Sequence, residues 1–80
     1  MVYKIRYTKD AIKYLDAQTQ VVRKRIFRAI ELLPEGDIIK LKASNGFRLR
    51  VGVYRIIFDY VDSSTISIKT IAPRGDVYKK

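Results

Sequence analysis

The 80-residue sequence contains no cysteine and no histidine, and these two absences remove most of the chemistry open to a small enzyme. Without thiols there is no disulfide framework, no thiolate zinc site and no cysteine nucleophile. Without imidazoles, Ser-His and Cys-His relays, two-histidine metalloproteases and ordinary zinc sites are excluded as well. Any catalysis must rest on Arg, Lys, Tyr, Asp, Glu, Ser or Thr. Long apolar runs are missing too. No stretch approaches the roughly 18 consecutive apolar residues of a membrane span, and the N-terminus has no apolar signal-peptide core. The expectation is a soluble cytoplasmic protein that uses no membrane. The only prolines are Pro34 and Pro73, and no repeat, low-complexity tract or linker divides the chain.

Acidic residues are also scarce. Seventeen Lys and Arg face eight Asp and Glu, a net charge of +9, which points to a polyanionic partner. The excess lies in the second half: residues 1–39 hold eight basic and five acidic side chains, residues 40–80 nine and three. What is present in quantity is apolar, 48% of residues, with six Tyr and three Phe. That supplies a compact core, and at this length one domain over residues 1–80.

Residues 2–7 alternate Val, Lys and Arg with Tyr and Ile and read as a strand. Thr8 is a candidate N-cap, Asp10 suits the first helical turn, and Ala11, Ile12, Tyr14 and Leu15 form an apolar side; this helix should end near Ala17. A second helix, from Gln18 or Thr19 to Leu33, carries Val22, Ile26, Ala29, Ile30 and Leu33 inward and Arg23, Lys24, Arg28 and Glu31 outward. Pro34 and Gly36 stop it. The short connection predicts a helical hairpin.

From Ile38 the period changes to two. If Gly52-Val53 is a two-residue turn with Gly at positive φ, Val51 faces Tyr54, Leu49 faces Ile56 and Phe47 faces Phe58, all on one side. The same register sets Arg50 opposite Arg55, with Arg48 beside them, on the other side. Directly opposed like charges cost free energy, so the cluster calls for an anion. A last strand over 65–71 follows the turn Asp62-Ser63-Ser64; its Ile66 and Ile68 reach the apolar side only through an odd-length turn or a bulge. The expected architecture is α+β: an N-terminal strand and a helical hairpin on one face of a mainly antiparallel four-stranded sheet whose other face is basic.

The run Gly46-Phe47-Arg48-Leu49-Arg50-Val51-Gly52-Val53-Tyr54-Arg55-Ile56-Ile57-Phe58, followed by Ile71-Ala72-Pro73-Arg74-Gly75-Asp76-Val77-Tyr78-Lys79, resembles the RelE/ParE superfamily of toxins from type II toxin-antitoxin systems, and the similarity extends over essentially the whole chain. The resemblance implies a ribosome-dependent endoribonuclease that needs no metal or other cofactor: the 2′-OH of the message attacks the adjacent phosphorus, leaving a 2′,3′-cyclic phosphate and a 5′-OH end. By the same resemblance Arg55 contacts the reacting phosphate, Arg74 serves the leaving oxygen and Tyr78 accepts the 2′-OH proton. Relatives often carry lysines on the strand before Arg55; this sequence has Arg48 and Gly46 there, and a permanently charged guanidinium stabilises charge but is a poor proton shuttle.

Arg48, Arg50, Lys40, Lys42, Lys24 and Arg28 are the further candidates for binding RNA phosphates, Lys24 and Arg28 joining Arg23 in a patch on the second helix. Asp59 reads as a charge-balancing partner, and Asp76 as a residue that positions the tail. The partners implied are the ribosome, its message and a cognate antitoxin with an acidic segment, oligomers arising only as the toxin-antitoxin complex. Alternatives are a ParE-type protein that poisons DNA gyrase and a catalytically dead module that only binds an antitoxin.

Overall fold

A computed structural model describes residues 3–42 and 46–73. In chain order these form β1 (Lys4–Tyr7), α1 (Lys9–Asp16), α2 (Gln20–Glu31), β2 (Asp37–Lys40), β3 (Phe47–Val51), β4 (Tyr54–Asp62) and β5 (Thr65–Pro73). Val2, expected to open the first strand, lies outside the described residues.

Both helices start where a threonine supplies the missing acceptor. Thr8 Oγ1 accepts from Ala11 N at 3.2 Å and itself donates to the Lys69 carbonyl at 2.7 Å, so the cap also fastens α1 to β5. Thr19 Oγ1 accepts from Val22 N at 3.3 Å at the head of α2. Each cap satisfies a donor that the helix itself cannot. Ala11 and Leu15 are buried as their spacing requires, but Ile12 is 47% exposed. One residue turns the helix by about 100°, which carries Ile12 off the face that meets β5 and β1. In α2, Ile26 and Ile30 are fully buried, Leu33 follows them into the core, and Val22 and Ala29 pack at its margin. The helix ends at Glu31, two residues earlier than its apolar spacing suggests, with Leu32 as its C-cap.

Among the described residues five strands, not four, make one sheet in the order β1-β5-β4-β3-β2. The additional strand is β2. The period of two is read from Ile38, but the adjacent isoleucines of Asp-Ile-Ile-Lys break it within these four residues, and they are a strand because they pair antiparallel with β3, Asp37 opposite Arg50 and Lys40 opposite Phe47. The two edges, β1 and β2, are each four residues long and carry charges at Lys4, Arg6, Asp37 and Lys40, which discourages edge-to-edge association. β1 runs parallel to β5, and the other pairs are antiparallel.

The central hairpin has the expected register: Val51 opposite Tyr54, Leu49 opposite Ile56 and Phe47 opposite Phe58. Gly52 sits at φ 59, the positive value that the first position of a type II′ turn demands. The register of β5 is settled by two bulges. Val61 is an extra residue in β4 and Lys69 an extra residue in β5, so Ile66 faces Tyr60, Ile68 faces Phe58 and Ile71 again faces Ile56. Without the Lys69 bulge, Ile68 and Ile71 would point to opposite faces. With it, both join Leu49, Ile56, Phe58 and Ile66 in one buried layer beneath Ala11, Leu15, Ile26, Ile30 and Leu33. Among the described residues, therefore, the helices occupy one face of the sheet and no helix covers the other.

Candidate functional site

The uncovered face is built by alternation. In β3 and β4 every second residue is spent on the core, so Arg48 and Arg50 on β3 and Arg55 on β4 must share the opposite side, with Arg50 and Arg55 directly across from one another and Arg48 across from Ile57. Pairing extends these rows outward. Asp37 on β2 lies opposite Arg50, and Ala72 on β5 lies opposite Arg55. Arg6 reaches the same face through its register with Ser67, which pairs with Asp59.

The three arginines differ in environment. Arg50 is half exposed and is held by Asp37: its Nε and Nη2 both lie 2.6 Å from Asp37 Oδ2, with the two side chains 49% and 46% exposed. An ion pair this open to solvent contributes about 0.2–1 kcal/mol. Arg48 is half-buried. Arg55, expected on the basic face, does occupy it by register but is only 6% exposed, with Nε and Nη1 shielded from solvent. It stands on the central strand with a partner row on each side, which removes the lateral exposure that Arg50, nearer the edge, retains. A charge in such a place acts through a lower effective dielectric than one in water.

Asp59 turns its Oδ1 to the Tyr60 N–H at 2.8 Å, and the carboxylate that holds Arg50 is Asp37. The importance of Asp37 is invisible in a one-dimensional reading, because it lies thirteen residues from Arg50 and meets it only through the β2–β3 pairing. The remaining basic candidates are not gathered here. Lys40 takes the register of Phe47, on the helix side of an edge strand, and Lys42 is exposed beyond it. Lys24 and Arg28 project from α2, across the sheet from the arginines, where with Arg25, Ala29 and Leu32 they line a shallow groove of about 380 Å³. Arg23 does not belong to that patch as expected: its Nη1 donates to the Gln18 carbonyl at 2.6 Å, bracing the turn between the helices. Arg25 takes its place; its guanidinium lies against the Gly52 turn, 3.1 Å from where a Cβ would stand. Arg74, Asp76 and Tyr78 lie outside the described residues. No three Asp or Glu among the described residues cluster as a metal site would require, and no described helix is long and apolar enough to cross a membrane.

What this face offers is a fixed array of cations with aligned donors, the arrangement that binds phosphate and stabilises charge developing on it. No protein-family model and no curated protein matches the chain, whereas solved structures do. The archaeal RelE-RelB complex from Pyrococcus horikoshii OT3 matches with a TM-score of 0.74 at 30% identity, over 95% of this chain and 99% of that one. The RelB-RelE antitoxin-toxin complex from Methanococcus jannaschii matches at 0.72 and 31%, over 91% and 94%. A variant of the E. coli toxin RelE in the free state shares the fold at 0.66 and 17% identity, over 98% and 88%. Near-complete coverage at 30 and 31% identity, on a two-helix and five-stranded frame with a basic open face, places the chain in the RelE family of type II toxin-antitoxin toxins.

Proposed function

We propose that this RelE-family toxin is a ribosome-dependent endoribonuclease that cleaves messenger RNA by attack of the 2′-OH on the adjacent phosphorus. The observation that carries the reading is the row Arg50–Arg55 with Arg48 alongside, three guanidiniums on one open sheet face. In the step, the 2′ oxygen bonds to phosphorus as its proton leaves, the bond to the 5′ oxygen breaks, and that oxygen takes up a proton. Three needs follow: a proton acceptor, cations for the added charge on phosphorus, and help for the leaving oxygen. Arg55, to which family resemblance gives the reacting phosphate, acts from a poorly solvated position, and Arg50 across from it, the more exposed member of the row, binds phosphate of the same strand. Tyr78 as proton acceptor and Arg74 at the leaving oxygen are the roles that family resemblance supplies. The relatives at 30 and 31% identity are RelE toxins, which favours this reading over gyrase poisoning. Their structures hold them with RelB, which supports a cognate antitoxin for this chain as well. Against a +9 protein, an acidic antitoxin segment laid on the arginine face has the complementary charge.

The test is purified toxin added to programmed ribosomes, with 5′ ends mapped on the message. Cuts within the decoding site carrying 5′-OH ends are expected, and Tyr78→Phe should slow them by roughly 100-fold or more, the usual worth of a positioned acid or base. A message left whole while gyrase-linked DNA breaks accumulate would reject the nuclease reading. A Tyr78→Phe protein cutting within a few-fold of the parent would remove Tyr78 as the base.

A further inference from the structure

We infer that Asp37 is a built-in counter-anion of the open face, occupying an edge with which Arg50 would otherwise grip a phosphate, and so sets the affinity of that face for nucleic-acid strands. The inference rests on reading the arginine face as a phosphate surface and concerns what regulates it.

Three observations carry it. Asp37 and Arg50 are direct cross-strand partners, so backbone pairing brings the carboxylate to this arginine. The contact uses Nε and Nη2 together, both 2.6 Å from one carboxylate oxygen; that edge of the guanidinium is one of those that grip a phosphate with two parallel donors. Both side chains are about half exposed, so the pair is open to displacement from solvent. Opposed like charges at Arg50 and Arg55 explain why a carboxylate is tolerated on a surface otherwise suited to anions. With no ligand present it offsets the repulsion, and a phosphate that takes this edge displaces it. Asp37 is thus a positioning residue that acts through Arg50.

Binding of a labelled oligodeoxythymidylate, which has no 2′-OH and cannot be cleaved, isolates this from catalysis. Affinity would be measured by fluorescence anisotropy across a salt series for the parent, Asp37→Asn, Arg50→Ala and the double variant. Freeing one cation for one phosphate should steepen the slope of log affinity against log salt by about 0.7. If parent and variant bind equally near 1 M, the gain is roughly eightfold at about 50 mM salt. In the Arg50→Ala background the same substitution should give less than about half that slope change, because only the general charge effect remains. Asp37→Ser, too short to reach the guanidinium, should reproduce the gain of Asp37→Asn. An equal gain with and without Arg50 would reduce Asp37 to one surface charge among many, and no gain at all would overturn the inference outright. Tighter binding by Asp37→Asn in a protein that leaves ribosomal message whole would support this inference while rejecting the nuclease reading; cleavage with no such gain would do the reverse.

Discussion

Arg50 and Arg55 face each other across one hairpin, yet one is half exposed and the other 6% exposed, and the two should answer differently to truncation. Arg50→Ala removes an ion pair worth about 0.2–1 kcal/mol and should lower the melting temperature the less of the two. Arg55→Ala removes a stem packed in a buried position, at a cost of about 1–3 kcal/mol. In a domain of this size each 1 kcal/mol moves the midpoint by about 4–8 °C. Thermal melts should therefore show the larger drop, at least about 4 °C, for Arg55→Ala, while both variants lose cleavage on ribosomes. Equal melting temperatures for the two would mean that burial at position 55 adds nothing to stability. Alternation in the sequence is enough to put Arg48, Arg50 and Arg55 on one face. The depth of Arg55 and the Asp37 contact depend on which strands lie to either side, and no local pattern encodes that.

Among the elements, the β4–β5 hairpin is the one whose sequence left a choice open. Its turn is held by Asp62, whose Oδ1 accepts from Ser64 N at 2.8 Å and from Ser64 Oγ at 3.1 Å, an arrangement in which an Asp side chain stands in for a backbone acceptor. These bonds, the Ser64 backbone N–H first among them, hold the Asp62 carboxyl below its ordinary value. The folded state thus prefers the ionised form. Its contribution is complete above about pH 5 and is lost as pH falls through the unfolded value near 3.9 and on to the lower folded one. Asp62→Asn should therefore trail the parent in urea midpoint at about pH 6 and converge on it at about pH 3. A gap that stays constant over that range would show that the charge plays no part in the turn. The helices were easier to read, since Thr8 and Thr19 announce their starts and their buried residues follow the 3.6 period. Strand β2 was not, because the adjacent isoleucines break the period of two that starts at Ile38, and the four residues become a strand by lying beside β3.

At the scale of the whole molecule, a net charge of +9 means that folding gathers repelling charges. Raising ionic strength from about 0.01 M to about 0.1 M shortens the screening length from about 30 Å to about 10 Å, less than the width of the domain. The melting temperature should rise with sodium chloride over that range. It should rise further at equal ionic strength when phosphate replaces chloride, because an anion bound only by the folded face stabilises it by mass action. A midpoint that falls with added salt would mean that attractive pairs such as Arg50–Asp37 outweigh the repulsion. Equal midpoints in the two anions would remove the phosphate-specific part of the effect.

By itself the sequence determined the α+β class, the two capped helices, the central hairpin with its Gly52 turn and the single-sided placement of three arginines. Each of these follows from short-range rules, a period of 2 or 3.6, a cap or a turn residue, which act over a few neighbouring positions. Tertiary structure alone decided that β2 joins the sheet beside β3, that bulges at Val61 and Lys69 bring Ile66, Ile68 and Ile71 to the core, that Arg55 is buried, that Arg23 braces the helical turn, and that Asp37 holds Arg50. These depend on pairings between strands and on packing between layers, where the energy of a residue is set by partners that the chain brings near only once it has folded.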